Sequence, residues 1–522
     1  MMRPKISTMI FALLGLTLLI AEFWKYHGFF ADDAFISLRY CRNFLAGDGL
    51  VWNPGEYVEG YSNFLLVMMV SLLGRLGIDL MRAAQAVGMV SLVGLITYVA
   101  WYARKQFGLA EKDQYVGWLP LILTATSLSL VLWSVGGLES VLFSLFVTSG
   151  MLIGIEGERS VRRFAISGLL LALATLTRPD GGLLFLILLA YYFVYSTRDR
   201  EIALKQLAAF AVAYLGLVLP HVIWQYSYYG HLVPNTWYVK GDFSFERAWL
   251  GCLYLFDWAV SPPYLLPFFV IALGYRFATR NWERSLTLLT LTAAIYLAYV
   301  ISVGGDHMPG FRPVTAVIPL MAIATAIALR PLLTRLRARV AIAVPAAVLI
   351  LCSLQMVIPG AAFEDSDRWD PAAYSGKIVG EYINDHWPAG TLVALNSAGA
   401  TPYFAPRLRF IDMLGLNDTT IAHRNPYPHV SFYQLVPGHA KGDGRYVLNR
   451  KPDFIIAGPS NGSDVYRAWT LTEYEMARIF EFKDLYGLRT VSIPATRYGK
   501  FQQFEDTKSG SLTFTFYQRR PQ

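Results

Sequence analysis

Residues 32–64, DDAFISLRYCRNFLAGDGLVWNPGEYVEGYSNF, lie between two apolar runs, Met9 to Trp24 and FLLVMMVSLLGRLG at 64–77. Their first part predicts a helix that begins at Asp32 or Asp33, where the positive end of the helix dipole favours a carboxylate, and ends between Asn43 and Gly49. One acid suffices to cap a helix. Two adjacent acids directly after an apolar anchor exceed that need, so that one can cap while the other serves as a base. The preceding apolar run follows Arg3 and Lys5 and leads into KYHGFFADD, with no small-x-small cleavage pattern. It reads as an uncleaved anchor with its amino terminus in the cytoplasm.

Composition carries the same reading through all 522 residues. The chain is 55% hydrophobic and 16% charged, with a mean hydropathy of +0.39, whereas about 25% of an ordinary soluble domain is charged. Its net charge of +8 does not point to nucleic acid, because Lys and Arg gather in short connectors between apolar runs. Cys41, Cys252 and Cys352 are odd in number, far apart and absent from the polar C-terminal third, so they imply neither a disulfide framework nor a zinc site.

Spanning helices need roughly 17–25 mostly apolar residues. Candidates lie near 8–24, 83–103, 114–133, 138–155, 164–178, 182–196, 206–226, 259–276, 285–303, 312–329 and 338–358, about eleven in all. Connectors at 104–112, 157–164, 197–205, 276–284 and 330–339 are basic and should be cytoplasmic. The alternate set comprises 25–62, WSVGGLES at 133–140, TRPDGG at 177–182, YYGHLVPNTWYVKGD at 228–242 and GGDHMPGFRP at 304–313; these should face outward. Counting 64–77 as a span would reverse every later loop, so 62–80 is expected to be a short interfacial or re-entrant helix. Trp24, Trp52, Trp133, Trp224 and Trp237 stand at span ends, as an interfacial belt would. The composition changes after Pro359-Gly360. Residues 360–522 lack a spanning run and carry strand-like pieces at 391–395, 453–458 and 511–517, while GRYVLNRKPD at 444–453 reads as turns. The expected architecture is a polytopic α-helical membrane portion, residues 1–359 with its first outer loop at 25–62, followed by a periplasmic mixed α/β domain at 360–522.

Ionisable groups in or beside spans are costly and mark function. A hydroxyl attacking an activated sugar needs a carboxylate to take its proton, and a departing lipid phosphate needs cations or donors to hold its charge. Asp33 is the first choice for the base and Asp32 the second. The outward cations are few: Arg39, Arg178, Lys240, His307 and Arg312, with Asn235, Asp180, Asp306 and Glu139 beside them. A cation at a span end is otherwise read as snorkelling to the interface, but these polar neighbours are not explained that way. Glu59, Tyr61 and Asn63 are candidates to bind the acceptor, although NPGEYVEGY at 53–61 also reads as a solvated turn. Asp33 with Glu139 gives only a weak signal for a divalent cation, so no metal or other cofactor is required. No Walker loop, dinucleotide fingerprint, HExxH or nucleophile elbow occurs.

Taken together, the 32–64 stretch, WSVGGLES, LTRPDG, YYGHLVPNTWYVK, GGDHMPGFRP, IDMLGLND at 411–418 and GHAKGDGRYVL at 438–448 resemble the membrane arabinofuranosyltransferases of the GT-C superfamily. The nearest likeness is to the terminal arabinofuranosyltransferase of mycobacterial cell walls and to its relative that arabinosylates type IV pilin in some pseudomonads. The resemblance implies a polyprenyl-phosphoryl arabinofuranose donor, used at the periplasmic face of the bacterial inner membrane without a nucleotide sugar. It implies an acceptor that is a periplasmic glycan or protein, and a catalytic Asp in the first outer loop, here the Asp32-Asp33 pair. Glu139, Arg178, Lys240, Asp306 and Arg312 match its later motifs. Ala and Val are less dominant here than in actinobacterial members and Tyr and Phe are plentiful, which favours a Gram-negative setting. Two alternatives stand beside this one: the same architecture moving aminoarabinose to lipid A or mannose to protein, and a transporter of lipid-linked sugar. The transporter is disfavoured because the polar residues gather at one membrane face and no internal symmetry shows.

Overall fold

The computed structural model describes residues 6–108, 114–156, 160–195, 200–241, 244–358, 363, 366–425, 432–467, 470–494 and 510–521. Parts of the basic connectors at 104–112, 157–164 and 197–205, and the Pro359-Gly360 boundary, lie outside the described residues. Four helices open the chain: α1 (Ile6–Tyr26), α2 (Asp32–Ala46), α3 (Phe64–Arg75) and α4 (Leu80–Phe107). They are followed by α5 (Gln114–Ala125), α6 (Leu128–Val135), α7 (Ser140–Ile155), α8 (Val161–Thr177), α9 (Gly181–Tyr195), α10 (Arg200–Tyr229) and the short α11 (Asn235–Lys240). Next come α12 (Phe245–Ala259), α13 (Leu265–Ala278), α14 (Arg284–Ser302), α15 (Ile318–Leu333) and α16 (Ala338–Val357).

A helix therefore stands at each of the eleven apolar segments, though few are long. Among the described residues four helices, within α4, α10, α14 and α16, have the length and apolarity to cross a membrane, and the bent pair α5–α6 would make a fifth. The 12 residues of α3 rise only about 18 Å, well short of the roughly 30 Å hydrocarbon core. Two boundaries differ from expectation. The segment expected at 259–276 forms a helix only from Leu265, because Pro262-Pro263 lie between the end of α12 at Ala259 and the start of α13, and prolines remove the donors that a continuous helix would need. The segment expected at 312–329 begins with a 3₁₀ turn at Arg312–Ala316 before α15.

The chain divides into two compact units: Met1–Phe29, Ala84–Val222 and Ala248–Arg368 form one, and Phe30–Ala83, Ile223–Arg247 and Trp369–Gln522 the other. Residues 30–83 thus pack with the C-terminal residues rather than with the helical portion, where the sequence places them. At the centre of the helical unit, α15 is buried along Ile318–Ala328. Its Ala322, Ala324, Ala326 and Ala328 carry side chains small enough for neighbouring backbones to approach closely, and α5, α13, α14 and α7 pack against it. By contrast α10 presents Val212, Leu215 and Leu219 outward, as a helix facing lipid does. Trp133 is fully buried, donating its indole N–H to Pro309 O at 3.0 Å, so it belongs to the core rather than to a belt.

The 42° bend between α5 and α6 leaves backbone groups without helical partners, and one side chain from α16 takes them. Gln355 Nε2 donates to Thr126 O at 3.2 Å, and Gln355 Oε1 accepts from Leu128 N at 3.3 Å. Gln355→Leu orphans both groups, at a cost of about 2–4 kcal/mol. Its melting temperature in detergent is expected to fall clearly below wild type, and an unchanged value would show that the bend is supported by other contacts.

The second unit is built on a five-stranded mixed sheet of β1 (Leu392–Leu395), β2 (Arg409–Asp412), β3 (Phe454–Ile456), β4 (Tyr486–Pro494) and β5 (Ser511–Arg519), in the order β2-β1-β3-β5-β4. β2, β1 and β3 run parallel, while β5 is antiparallel to β3 and β4. β1, β3 and β5 match the expected strands, and β2 and β4 were not anticipated. Further helices are α17 (Pro371–His386), α18 (Ala400–Phe404), α19 (Thr419–His423) and α20 (Gly444–Asn449). Residues 444–453, read as turns, thus hold a helix, which Asp443 caps by accepting Tyr446 N–H at 2.8 Å. The first loop continues the sheet at its β2 edge, where the Asn53 amide exchanges two bonds with the Phe410 backbone at 2.7 and 3.2 Å. An edge strand that would otherwise be open is covered in this way.

Candidate active site

α2 starts and stops close to where the sequence placed it, with Gly47 in the left-handed conformation (φ 92) closing its end. The expected cap, however, is absent: Ala31 is the N-cap residue and no side chain caps the helix. Asp32 bonds elsewhere. Its carboxylate accepts the Ala400 N–H at 2.8 Å, tying the first turn of α2 to the start of α18. Burial pushes the Asp32 carboxyl up to about 8, with the Asp370 and Asp33 charges adding to the rise and the Ala400 and Gly399 N–H groups opposing it. Asp33 differs from its neighbour. It is only partly buried, and among the described residues its carboxylate has no hydrogen bond or ion pair.

The remaining candidates of this unit divide sharply by role. Arg39 is buried and spends its guanidinium on three backbone carbonyls, those of Trp52 (2.7 Å), Leu408 (3.3 Å) and Pro402, between the rings of Trp52 and Phe410. It staples the loop to the sheet domain and is not available to a phosphate, because all faces of the guanidinium are covered. Trp52, expected in the interfacial belt, is part of this buried staple. Asn235 is likewise committed, donating to Gly415 O at 2.7 Å and Leu416 O at 3.0 Å. Glu59, Tyr61 and Asn63, expected to meet the acceptor, are buried beneath α2. Asn63 accepts from Ser37 Oγ at 3.0 Å, and the Tyr61 and Tyr229 hydroxyls meet at 3.1 Å. Burial pushes the Glu59 carboxyl up to about 8, the nearby Gln225 side chain opposing the rise. Lys240 is the exception: it is partly exposed at the end of α11, and no hydrogen bond or ion pair among the described residues involves its ammonium.

The helical unit holds the other candidates as two ion-pair clusters. Arg178, at the C-cap of α8, donates to Glu139 Oε1 at 2.7 Å and to Asp180 Oδ1 at 3.0 Å, while Tyr296 donates to Asp180 Oδ2 at 2.6 Å. Arg312 donates to Asp306 Oδ2 at 2.7 Å, and His307 lies 3.6 Å from the same carboxylate. The turn that presents them depends on Gly305 (φ 75) and Gly310 (φ 71), where a side chain would press on Tyr254 and on Leu132. Glu139 is therefore engaged by an arginine, and no group of three metal-ligating side chains occurs among the described residues.

Several contributors escaped the sequence reading. Gly399 and Ala400, which receive Asp32, follow β1 in the string NSAGA, where a Gly between strand and helix was the available signal. Asp412, in IDMLGLND, accepts Leu414 N–H, Asn417 N–H and Asn417 Nδ2 at 3.0, 2.8 and 2.9 Å. It thereby holds Asn417 toward the Tyr40 hydroxyl, which donates to it at 3.1 Å.

Since Asp32 and Glu59 have folded pKa values raised above the ordinary carboxylate range, their protonated forms favour the fold. That contribution is full below about pH 4 and is lost as pH rises through about 8. The melting temperature is expected to fall between pH 5 and pH 8.5, and Asp32→Asn should flatten the decline. An identical slope in the variant would show that Asp32 does not titrate there.

The chain is similar in fold to a solved structure. ArnT from Cupriavidus metallidurans bound to undecaprenyl phosphate superposes with a TM-score of 0.52 at 15% identity, covering 77% of this chain and 85% of that one. The chain shares the ArnT fold. The apo form of the same enzyme gives 0.52 at 15% identity over 78% and 86% of the two chains. A curated relative, the terminal β-(1→2)-arabinofuranosyltransferase of Corynebacterium glutamicum, is 27% identical over 378 residues, 63% of this chain and 52% of its own. The resemblance read from the first loop is thereby borne out by a curated arabinofuranosyltransferase relative, and the fold is shared with ArnT. The chain spans about half the length of the curated relative it matches. Residues 368–509 match a family model described as a domain of unknown function, DUF8728.

Proposed function

We propose that this chain is a polytopic inner-membrane glycosyltransferase that moves arabinofuranose from a polyprenyl-phosphoryl donor to a hydroxyl of a periplasmic glycan or protein. The observation that carries the reading is the contrast within the acid pair: Asp32 is fixed by Ala400 N–H, while Asp33, one residue on, is partly exposed and unpaired. A base must be held by its surroundings yet have a free lone pair. In the reaction, Asp33 takes the proton of the acceptor hydroxyl as its oxygen bonds to the anomeric carbon, the bond from that carbon to the phosphate oxygen breaks, and the lipid phosphate departs with the electron pair. Lys240 is the first choice to hold the departing phosphate, since its ammonium has no hydrogen bond or ion pair among the described residues.

The test uses the purified full chain in detergent with synthetic polyprenyl-phosphoryl arabinofuranose, mannose and aminoarabinose offered separately, and reads the mass added to glycan and peptide acceptors. Transfer of a plain pentose is expected. Transfer from the mannose or aminoarabinose donor instead would overturn the sugar, and no transfer from any donor would overturn the activity. Lys240→Met is expected to lower turnover about 10²-fold while leaving the melting temperature unchanged. Wild-type turnover in that variant would remove Lys240 from the phosphate site.

A further inference from the structure

An open cleft of about 1160 Å³ lies at the amino-terminal ends of β1 and β3, where Thr391 and Asp453 precede the strands. Asp32 meets the sheet domain past the other end of β1, at Ala400. The four residues of β1 put roughly 13 Å of strand between the two places, so the cleft is separate from the acid pair.

Its charge is one-sided. Arg445, Lys451 and Arg520 line the cleft without an ion pair among the described residues. Arg519 is already paired with Asp453 at 2.5 Å, and the second oxygen of Asp453 accepts Leu392 N–H at 3.0 Å. That acid is spent, which leaves Glu481 as the one other carboxylate among the lining residues. Lys451 also sits at φ 52, a conformation uncommon for a long side chain.

The floor decides what kind of anion fits. Leu448, Ile479 and Leu485 supply aliphatic surface. Of the two aromatic residues of the lining, Phe454 has one ring face stacked on Trp387 at 3.8 Å, and Tyr486 is buried against Phe482. A sugar polymer would look for a broad open aromatic platform, and at most one face of Phe454 is left to supply it. An extended peptide needs only backbone partners, aliphatic contacts and counter-charges for its carboxylates.

We propose that this cleft docks an acidic peptide segment carrying interspersed aliphatic side chains. The probe is a fluorescein-labelled nonapeptide of seven glutamates and two leucines, titrated with the full chain in detergent at low salt and read by anisotropy. Saturable binding is expected, weakened about tenfold in the Arg445→Gln, Arg520→Gln double variant and lost when the glutamates become glutamines. Equal affinity in the double variant overturns the proposal, as does displacement of the peptide by an oligogalacturonate at a lower concentration than by unlabelled peptide. Should the double variant not fold, carbodiimide coupling of the peptide to wild-type protein decides. An amide mapped to Lys451 supports the cleft, and coupling only elsewhere overturns it.

Discussion

Asp33→Asn is expected to lower sugar transfer about 10²–10⁴-fold in turnover, while the protein inserts, folds and melts as wild type does. The side chain has no hydrogen bond to lose, because no donor among the described residues meets it. An amide of the same shape therefore costs the fold almost nothing, yet it offers no lone pair basic enough to receive a hydroxyl proton. Asp32→Asn supplies the contrast. Its amide oxygen can still accept from Ala400 N–H, so transfer should fall by less than about tenfold, well short of the loss expected for a base. Turnover with polyprenyl-phosphoryl arabinofuranose, measured beside the melting temperature, separates the two. An active Asp33→Asn enzyme would sink the assignment of the base, and the reverse order of effects would move the role to Asp32.

Gly399→Ala should be the most damaging small change at a position with no chemistry of its own. A Cβ there would overlap the backbone oxygen of Asp32 and stand 2.6 Å from its carboxyl carbon. No rotamer relieves overlap with a backbone atom, so the first turn of α2 has to shift. The Asp32–Ala400 bond is then strained, and Asp33 moves with the helix. Overpacking of this kind costs about 1–3 kcal/mol, and displacing a catalytic group by about 1 Å costs on the order of 10² in rate. Turnover is expected to fall with KM nearly unchanged. In the Asp33→Asn background Gly399→Ala should cost little further activity, since the two changes act on one group. Additive losses would show that Gly399 acts on something other than the placement of Asp33.

Helix α2, with acids in its first turn and Gly47 at its end, was readable because both signals lie within the segment they shape. The eleven apolar segments were readable for the same reason: hydropathy over a window is a property of neighbouring residues. Short elements were harder. β2, with four residues, and α20, with six, offer too few positions for a period to emerge, and α20 ends beside RKPD, which read as a turn. Polar residue types in the first loop and at 228–242 marked candidates but not the duty of each side chain. Arg39, Asn235, Glu59, Tyr61 and Asn63 looked like ligands and proved to be buried structural contacts.

The sequence alone carried the membrane class of the chain, the acid pair at the head of α2 and the likeness to arabinofuranosyltransferases, because composition, local periodicity and a long contiguous string need no knowledge of partners. The division of labour inside the acid pair came from the folded chain. Asp32 and Asp33 are chemically identical neighbours, and they part only when the N–H of Ala400, more than 360 residues downstream, donates a hydrogen bond to Asp32 and leaves Asp33 without one. Burial and hydrogen bonding are properties of pairs distant in sequence, and the contacts that set them exist only once the first loop has closed onto the edge of the sheet.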